Sequence, residues 1–326
     1  MLIDNDKENI LKRAALLLRN REFYGANIVS LPVIYALKKH AAVDHLTVFA
    51  SRGLQGFYSS VVWIDNYSEE RSLLRTYFKV PSDVDVYYSM RPGMDGAPLI
   101  GLLKRAGLSI GLGKVSNPLN GFFDHCHIYT EDIYRAVSYL LPVIKALSLP
   151  MNPDFYMREA MLDIAAGCMM SRSGHVCLLP GAGAGEFKKW GVEHFYELAC
   201  TLHVRYPGMV FDFVVGPSEQ AERHFLNSQC GKGLPFRIHE SLGLAESVAL
   251  MASSILVVAN DCGPSHFAQC LQRPFIGLYC EDNPEWFFPH AQSSAILPED
   301  GGDIKSITVE RVAKTAADLL NTHQLG

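Results

Sequence analysis

The chain has 326 residues, 48% hydrophobic, 19% charged and 10% aromatic, with a net charge of −5. That mixture excludes a disordered, collagen-like or low-complexity chain, and at roughly 150 residues per domain the length implies about two domains. The charge is uneven: residues 1–150 hold 17 Lys and Arg against 14 Asp and Glu, or +3, whereas 151–326 hold 12 against 20, or −8. The absence of a basic block argues against a nucleic-acid partner. The acidic opening MLIDNDKENI does not read as an export signal, and no stretch reaches the roughly 20 apolar residues of a membrane span. Eight cysteines without CxxC or CxxH spacing suggest neither a zinc cluster nor a disulfide framework, and read as reduced thiols of a cytoplasmic protein.

Along the chain, apolar runs alternate with helical periodicity, the pattern of strands joined by crossover helices in parallel sheets. In the first half the pattern predicts a strand at 14–18, a helix over 28–39 and strands at 46–50 and 84–88. A helix over 98–106 and a short strand at 109–112 follow. Ile133, Val137, Leu140, Leu141 and Ile144 share one helical face, predicting a helix over 131–147. Leu149, Pro150, Asn152 and Pro153 then break the pattern, so the expected domains are 1–150 and 151–326.

In the second half, strands are expected at 175–179, 210–215, 255–259 and 275–279. Helices are expected over 192–206, 244–252, 265–271 and 308–320, leaving the last helix able to pack back on the N-terminal half. The fold class is therefore α/β, two Rossmann-like doubly wound halves facing a central cleft. Chemistry belongs at the carboxyl ends of the strands.

Three such junctions stand out. The first, LPGAGAGEFKKW over 179–190, sets Gly181, Gly183 and Ala184 after a strand, where backbone can approach a bulky anion closely. Lys188 and Lys189 downstream could neutralise a diphosphate. A turn that needs glycine for geometry alone explains the spacing equally well. The run is not GxGxxG and no acid follows at the right distance, so it does not fit a dinucleotide fingerprint.

The second junction is NDCGPSH over 260–266, where amides at a helix start can bind phosphate and Asp261 can cap amides or bond a sugar hydroxyl. Capping by Asp261 or Ser265, with His266 as a packed core histidine, is the plainer alternative. The third, Gly25, Ala26 and Asn27 between the first strand and its helix, reads as a structural turn. Glu219 and Glu222 follow the Gly216-Pro217 turn, where an acid could bond a ribose, but read better as a solvated helix face.

At these residues the sequence resembles glycosyltransferase family 9, the bacterial heptosyltransferases of lipopolysaccharide core assembly. Pro180-Gly-Ala-Gly with Lys188-Lys189-Trp190 and Phe195-Tyr-Glu-Leu-Ala199 resembles one family block. Leu244-Ala-Glu-Ser-Val-Ala-Leu250 with Val258 to Ala268 resembles a second, and Asp282-Asn-Pro284 a third element. Gly25 to Pro32 followed by Ala36-Leu-Lys, Asp83-Val-Asp85 and Ser109-Ile-Gly111 resemble N-terminal elements.

The resemblance implies a GT-B fold and inverting, metal-independent transfer of heptose or a related sugar. The donor would be a nucleotide diphosphate sugar, ADP-linked, bound by the C-terminal domain, and the acceptor a lipopolysaccharide-core or related glycan on the N-terminal one. No cofactor is implied beyond the nucleotide-sugar substrate, and a cytoplasmic enzyme would sit peripherally at the inner face of the inner membrane. Lys188 would contact the phosphates, with Asp261 as its catalytic partner. Gly181, Gly183, Ala184, Lys189, Cys262, Gly263, Pro264, Ser265 and His266 would bind the donor.

The family carries its general-base aspartate directly after the glycine matching Gly25, and here that residue is Ala26. Glu22, Asp95 and His266 are the conceivable replacements, and Asn27 could only orient a hydroxyl. Cys262 and Cys280 also replace the family's usual threonine and glycine. The alternative function is a non-catalytic nucleotide-sugar-binding or scaffold protein. A sugar-nucleotide 2-epimerase, an NAD-dependent dehydrogenase and a periplasmic binding protein lack, respectively, assignable acid/base groups, the fingerprint and an export signal.

Overall fold

The computed structural model describes residues 11–18, 23–50, 54–70, 72–93, 95–168, 174–183, 185–299 and 301–323. In chain order the first elements are β1 (Arg13–Leu17), α1 (Tyr24–Ile28), α2 (Leu31–Tyr35), β2 (His45–Ala50), α3 (Gln55–Tyr58), β3 (Asn66–Glu69) and α4 (Leu73–Lys79). Then come β4 (Val86–Ser89), α5 (Ala97–Leu103), β5 (Leu108–Gly113), β6 (His125–Ile128), α6 (Arg135–Ala146) and α7 (Pro153–Ala165). The remainder is β7 (His175–Leu179), α8 (Val192–Arg205), β8 (Val210–Val215), α9 (Gln220–Gln229), β9 (Phe236–Glu240) and α10 (Leu244–Ser253). It ends with β10 (Ser254–Asn260), α11 (Ser265–Cys270), β11 (Phe275–Leu278), β12 (Ser293–Ile296) and α12 (Val309–His323).

The strands form two six-stranded parallel sheets, β3-β2-β1-β4-β5-β6 and β12-β11-β10-β7-β8-β9, so the two halves share one wiring. Contacts divide the chain into two compact units. The first is drawn from residues 1–22, 30–130 and 136–156, the second from 23–29, 131–135 and 157–326. The boundary thus falls inside α7, and two short segments of the first half, α1 among them, group with the second unit.

In the first unit Ala15, Leu17, Phe49 and Tyr87 of the sheet pack with Ala97 and Ile100 of α5, and with Leu73 and Tyr77 of α4. In the second, Val176, Leu178, Phe211, Phe213, Leu256 and Val258 pack under Phe195, Leu198 and Leu202 of α8. The C-terminal helix, a candidate for returning to the N-terminal half, packs by Val312, Ala316 and Leu320 into this second core. Every residue of β7 is buried and almost every residue of β10. Strands covered on both faces carry unbroken apolar runs, which made both legible.

Two predicted helices differ. The helix expected over 28–39 is split: α1 ends at Ile28, α2 starts anew with Pro32 in its first turn, and the chain continues as a π-turn over Ala36–His40. Pro32 has no N–H to continue the earlier ladder, so the break falls ahead of it. The helix expected over 131–147 starts only at Arg135, whose amide donates to the Glu285 carbonyl at 3.0 Å instead of to a carbonyl one turn back.

Candidate functional site

β7 and β10 are hydrogen-bonded neighbours, with Leu179 opposite Ala259, so their carboxyl ends emerge side by side. Asn260, the last residue of β10 and buried, ties the two exits together. Its Nδ2 donates to the Pro180 carbonyl at 2.8 Å, and its Oδ1 accepts from the Trp190 amide at 3.2 Å. Trp190 is itself anchored by its indole N–H, which donates to the Ile307 carbonyl at 2.7 Å. Both ends of the glycine-rich loop are therefore fixed to the sheet. The chain turns between them at Gly185 and just beyond them at Gly191, whose φ of 126° and 107° only glycine adopts without strain.

This clamp places Lys188 in an ion pair with Asp261, both partly exposed. Lys189 points elsewhere: its ammonium lies 2.7 Å from both Glu186 and Glu222. Burial alone would lower the Lys189 pKa, and the two carboxylates reverse this and raise it. Glu222 is buried, as is Glu219. The expected solvated helix face is thus corrected: α9 turns both acids toward the sheet end, because one answers Lys189 and the other fills a cradle of two glycines. A Cβ at Gly181 would come within 2.7 Å of Glu219 Oε1, and one at Gly216 within 2.5 Å of Oε2. Nothing lies within 4 Å of a Cβ at Gly183, so that position faces open space.

In the second junction the amides of Ser265, His266 and Phe267 are already used, donating to Cys262, Gly263 and Pro264 carbonyls. The Ser265 hydroxyl donates to the Cys262 carbonyl at 2.7 Å, and α11 has no side-chain cap. The expected rank of free amides at the helix start therefore reduces to those of Cys262 and Gly263, which donate to no other described residue. A cation, two amides and a buried carboxylate thus gather at the ends of β7, β8 and β10. This set suits a ligand with an anionic group and vicinal hydroxyls.

The model of glycosyltransferase family 9 (heptosyltransferase) matches residues 127–314, over half of the chain and including this whole site. The chain belongs to glycosyltransferase family 9. It is 28% identical over 125 residues to lipooligosaccharide heptosyltransferase 2 of Haemophilus influenzae. That match covers 36% of this chain and only 34% of the relative's length.

Two solved structures resemble the family 9 chain along nearly its whole length. The Escherichia coli ADP-heptose lps heptosyltransferase II is 17% identical with a TM-score of 0.65, covering 96% of this chain and 99% of that one. The E. coli heptosyltransferase WaaC with ADP-2-deoxy-2-fluoro heptose is 15% identical with a TM-score of 0.69, covering 94% and 99%. At such identities the likeness shows the fold, GT-B.

Within this family 9 protein the second unit also holds α1, and therefore Gly25, Ala26 and Asn27. Gly25 packs flat on the second junction: a Cβ there would lie 2.8 Å from His266 Cδ2, and one at Gly263 would lie 2.9 Å from the Gly25 amide. Ala26 is half-buried beside this contact, and Asn27 is buried, its Nδ2 donating to the Phe23 carbonyl at 2.9 Å.

The replacements considered for the missing base can be weighed on geometry. Glu22, like the donor-loop residue Ala184, lies outside the described residues. Asp95 caps the Ala97 amide at 3.0 Å and pairs with Arg91 at 3.0 Å. His266 is buried, and that burial, aided by Arg135, lowers its pKa to about 3. The Phe288 amide donates to Gln269 Oε1 at 2.7 Å, which turns the Gln269 NH2 group toward His266 Nδ1 at 3.2 Å. Nδ1 must then accept, so the neutral ring keeps its proton on Nε2. His266 is thus a hydrogen-bond donor at Nε2, poorly suited to take a proton.

Residues that the sequence reading passed over wall this histidine. Tyr134 Oη lies 3.0 Å from Nδ1, and the Trp286 ring is 5.2 Å from the imidazole. The fully buried Arg135 pairs with Glu285 and lies 4.0 Å over the Trp286 ring. The Glu285-Trp286 pair directly follows Asp282-Asn-Pro284, the only sequence cue to it. The thiol of Cys262 is pushed up to about 12 by burial, which keeps it protonated and unreactive. In the first unit a recess of about 670 Å3, lined in part by Lys12, Arg13, His45 and Asn66, opens at the amino ends of β1 to β3. In parallel α/β sheets ligands gather at the opposite ends.

Proposed function

We propose that the protein transfers a heptose or related sugar from a nucleotide diphosphate donor, ADP-linked, to a lipopolysaccharide-core or related glycan. Transfer inverts the anomeric carbon and needs neither metal nor other cofactor. The carrying observation is the clamped loop that pairs Lys188 with Asp261, the residue directly ahead of the Cys262 and Gly263 amides. Here a diphosphate would draw Lys188 from Asp261 and be stabilised as it departs from an oxocarbenium-like transition state. Glu219, held against Gly181, would accept from ribose hydroxyls, and His266 Nε2 would donate to a substrate oxygen. The work would take place in the cytoplasm at the inner face of the membrane that carries the acceptor.

Calorimetric titration with ADP-heptose, ADP, GDP and UDP tests the donor reading. Saturable binding of an ADP species that Lys188→Ala weakens supports it, and absence of binding by every nucleotide removes it. A second reading, a nucleotide-sugar-binding protein without turnover, is favoured by Ala26 together with the proton on His266 Nε2. It predicts no transfer by the native chain. Ala26→Asp then creates measurable turnover, since a general base is usually worth roughly 10² to 10⁴ in rate, with donor affinity unchanged. Turnover by the native chain that Lys188→Ala abolishes refutes it.

A further inference from the structure

A neutral imidazole serves a ligand in one of two opposite ways, as a donor through a protonated Nε2 or as a base through a bare one. The partner of Nδ1 decides which. In His266 the Nε2 edge faces Gly25: a Cβ there would stand 2.8 Å from Cδ2, 3.1 Å from Nε2 and 3.2 Å from the Gly263 Cα, so this edge lies where the two glycines meet. Nδ1 is on the other side of the ring, 3.2 Å from Gln269 Nε2 and 3.0 Å from Tyr134 Oη. Glu285, the carboxylate of this cluster, is taken by Arg135, whose guanidinium lies over the Trp286 ring.

Gln269 is fully buried, and each of its polar atoms has a task. Oε1 accepts from the Phe288 amide at 2.7 Å. The NH2 group lies 3.4 Å from Ser265 Oγ and 3.2 Å from His266 Nδ1, so one N–H serves each. Ser265 has spent its own proton on the Cys262 carbonyl and can only accept from Gln269. Turning the amide over would set its NH2 against the Phe288 N–H, and its carbonyl against a hydroxyl with no proton to give. Buried mismatches of that kind are costly, so the amide has one direction. Nδ1 then faces an N–H and stays bare. The Tyr134 hydroxyl donates to Nδ1 or turns to Cys270 Sγ, 3.8 Å away, and a bare Nδ1 suits both.

We infer that Gln269 is the positioning residue that makes His266 a hydrogen-bond donor to substrate at Nε2 and withholds it from service as a base. Through Ser265 the same side chain also steadies the Cys262 carbonyl, so one buried amide holds both the turn and the ring of this junction. The inference rests on the proposed function for the oxygen that Nε2 meets, a phosphate or sugar oxygen of the donor. The proton position itself rests on the hydrogen bonds alone. Gln269→Glu changes one NH2 group to an oxygen and should reverse the ring: the carboxylate accepts from the Phe288 amide with one oxygen and from a protonated Nδ1 with the other. Nε2 is left bare.

The test is long-range proton–nitrogen correlation of the full chain carrying ring-labelled histidine, with the His266 signals assigned by their loss in His266→Gln. In the native chain Nε2 should carry the proton and Nδ1 none. Gln269→Glu should exchange the two, and Tyr134→Phe, which removes the other neighbour of Nδ1, should leave the native pattern. A native ring protonated at Nδ1 overturns the inference without any variant. So does a native pattern in Gln269→Glu, or a reversal in Tyr134→Phe. Circular dichroism melts confirm folding, and if Gln269→Glu does not fold, the native and Tyr134→Phe spectra decide. Calorimetric titration with ADP-heptose reads the consequence: Gln269→Glu should bind roughly tenfold more weakly, as for one lost hydrogen bond to a charged group. Equal binding by native and Gln269→Glu chains also overturns the inference, because Nε2 then gives its proton to no substrate oxygen. The expected spectra with no nucleotide bound by the native chain count only against the proposed function.

Discussion

The two sheets have the same strand order but spend their charged side chains differently. In the N-terminal unit three acids serve the backbone, beside ion pairs such as Lys38–Asp65 and Lys79–Glu70. Asp85 accepts from the Lys12 and Arg13 amides at 2.8 Å, Glu69 from the Leu54 and Gln55 amides at 3.1 and 3.0 Å, and Asp124 from the amide and hydroxyl of Ser109. At the strand ends of the C-terminal unit, acids meet cations or line glycine cradles, as Asp261, Glu222 and Glu219 do. A carboxylate that holds backbone amides is committed to local structure. One that holds a partly exposed lysine can give it up to a ligand. Identical topology therefore yields one edge built for shape and one built for exchange.

Replacing Lys188 should break this contrast most severely. Lys188→Ala is expected to lower kcat/KM by roughly 10² to 10³, the cost of one lost oxyanion contact, with little change in unfolding free energy. Asn260→Ala comes next: it strands the Pro180 carbonyl and the Trp190 amide in a buried place. A loss of about 2 to 3 kcal/mol should appear in urea unfolding, together with weaker donor binding as the loop loosens.

The buried His266 supplies a pH signature. Its folded pKa of about 3 lies below the ordinary value of 6.5, so the unfolded chain binds the proton more readily. The stability it contributes is complete above pH 6.5 and is lost as pH falls toward 3. Native chain unfolded in urea at pH 6.5 and pH 5 should lose roughly 2 kcal/mol that His266→Gln does not lose. The smallest effect belongs to the shape-serving edge. Asp85→Ala should cost about 1 kcal/mol in unfolding, as for a lost cap, while calorimetric donor affinity stays unchanged.

The strands that sequence pattern predicts are the inner ones, with exits that lead to the site. The four it misses, β3, β6, β9 and β12, are the four sheet edges. Their residues, such as Asn66 to Glu69 and His125 to Ile128, are mostly half-buried or exposed, so no apolar run or clean alternation marks them. Lys188, Asp261 and the glycine turn were legible because loop chemistry after a buried strand is local in sequence. The commitment of Lys189 to Glu222, the cradle of Glu219 and the proton position on His266 were not. Each depends on partners far away in the chain, and helical position alone made Glu219 and Glu222 look solvated.

The seating of Gly25 against His266 also sets an order of events in synthesis. The segment 23–29 is made about 240 residues before the surface it packs on. At roughly 5 to 20 residues per second that is a wait of tens of seconds. The N-terminal sheet can close around its own core during that time, but the loop bearing Ala26 cannot find its seat until the junction at Gly263 and His266 has been made. Of the segments that meet at the site, the earliest made is thus the last to be seated.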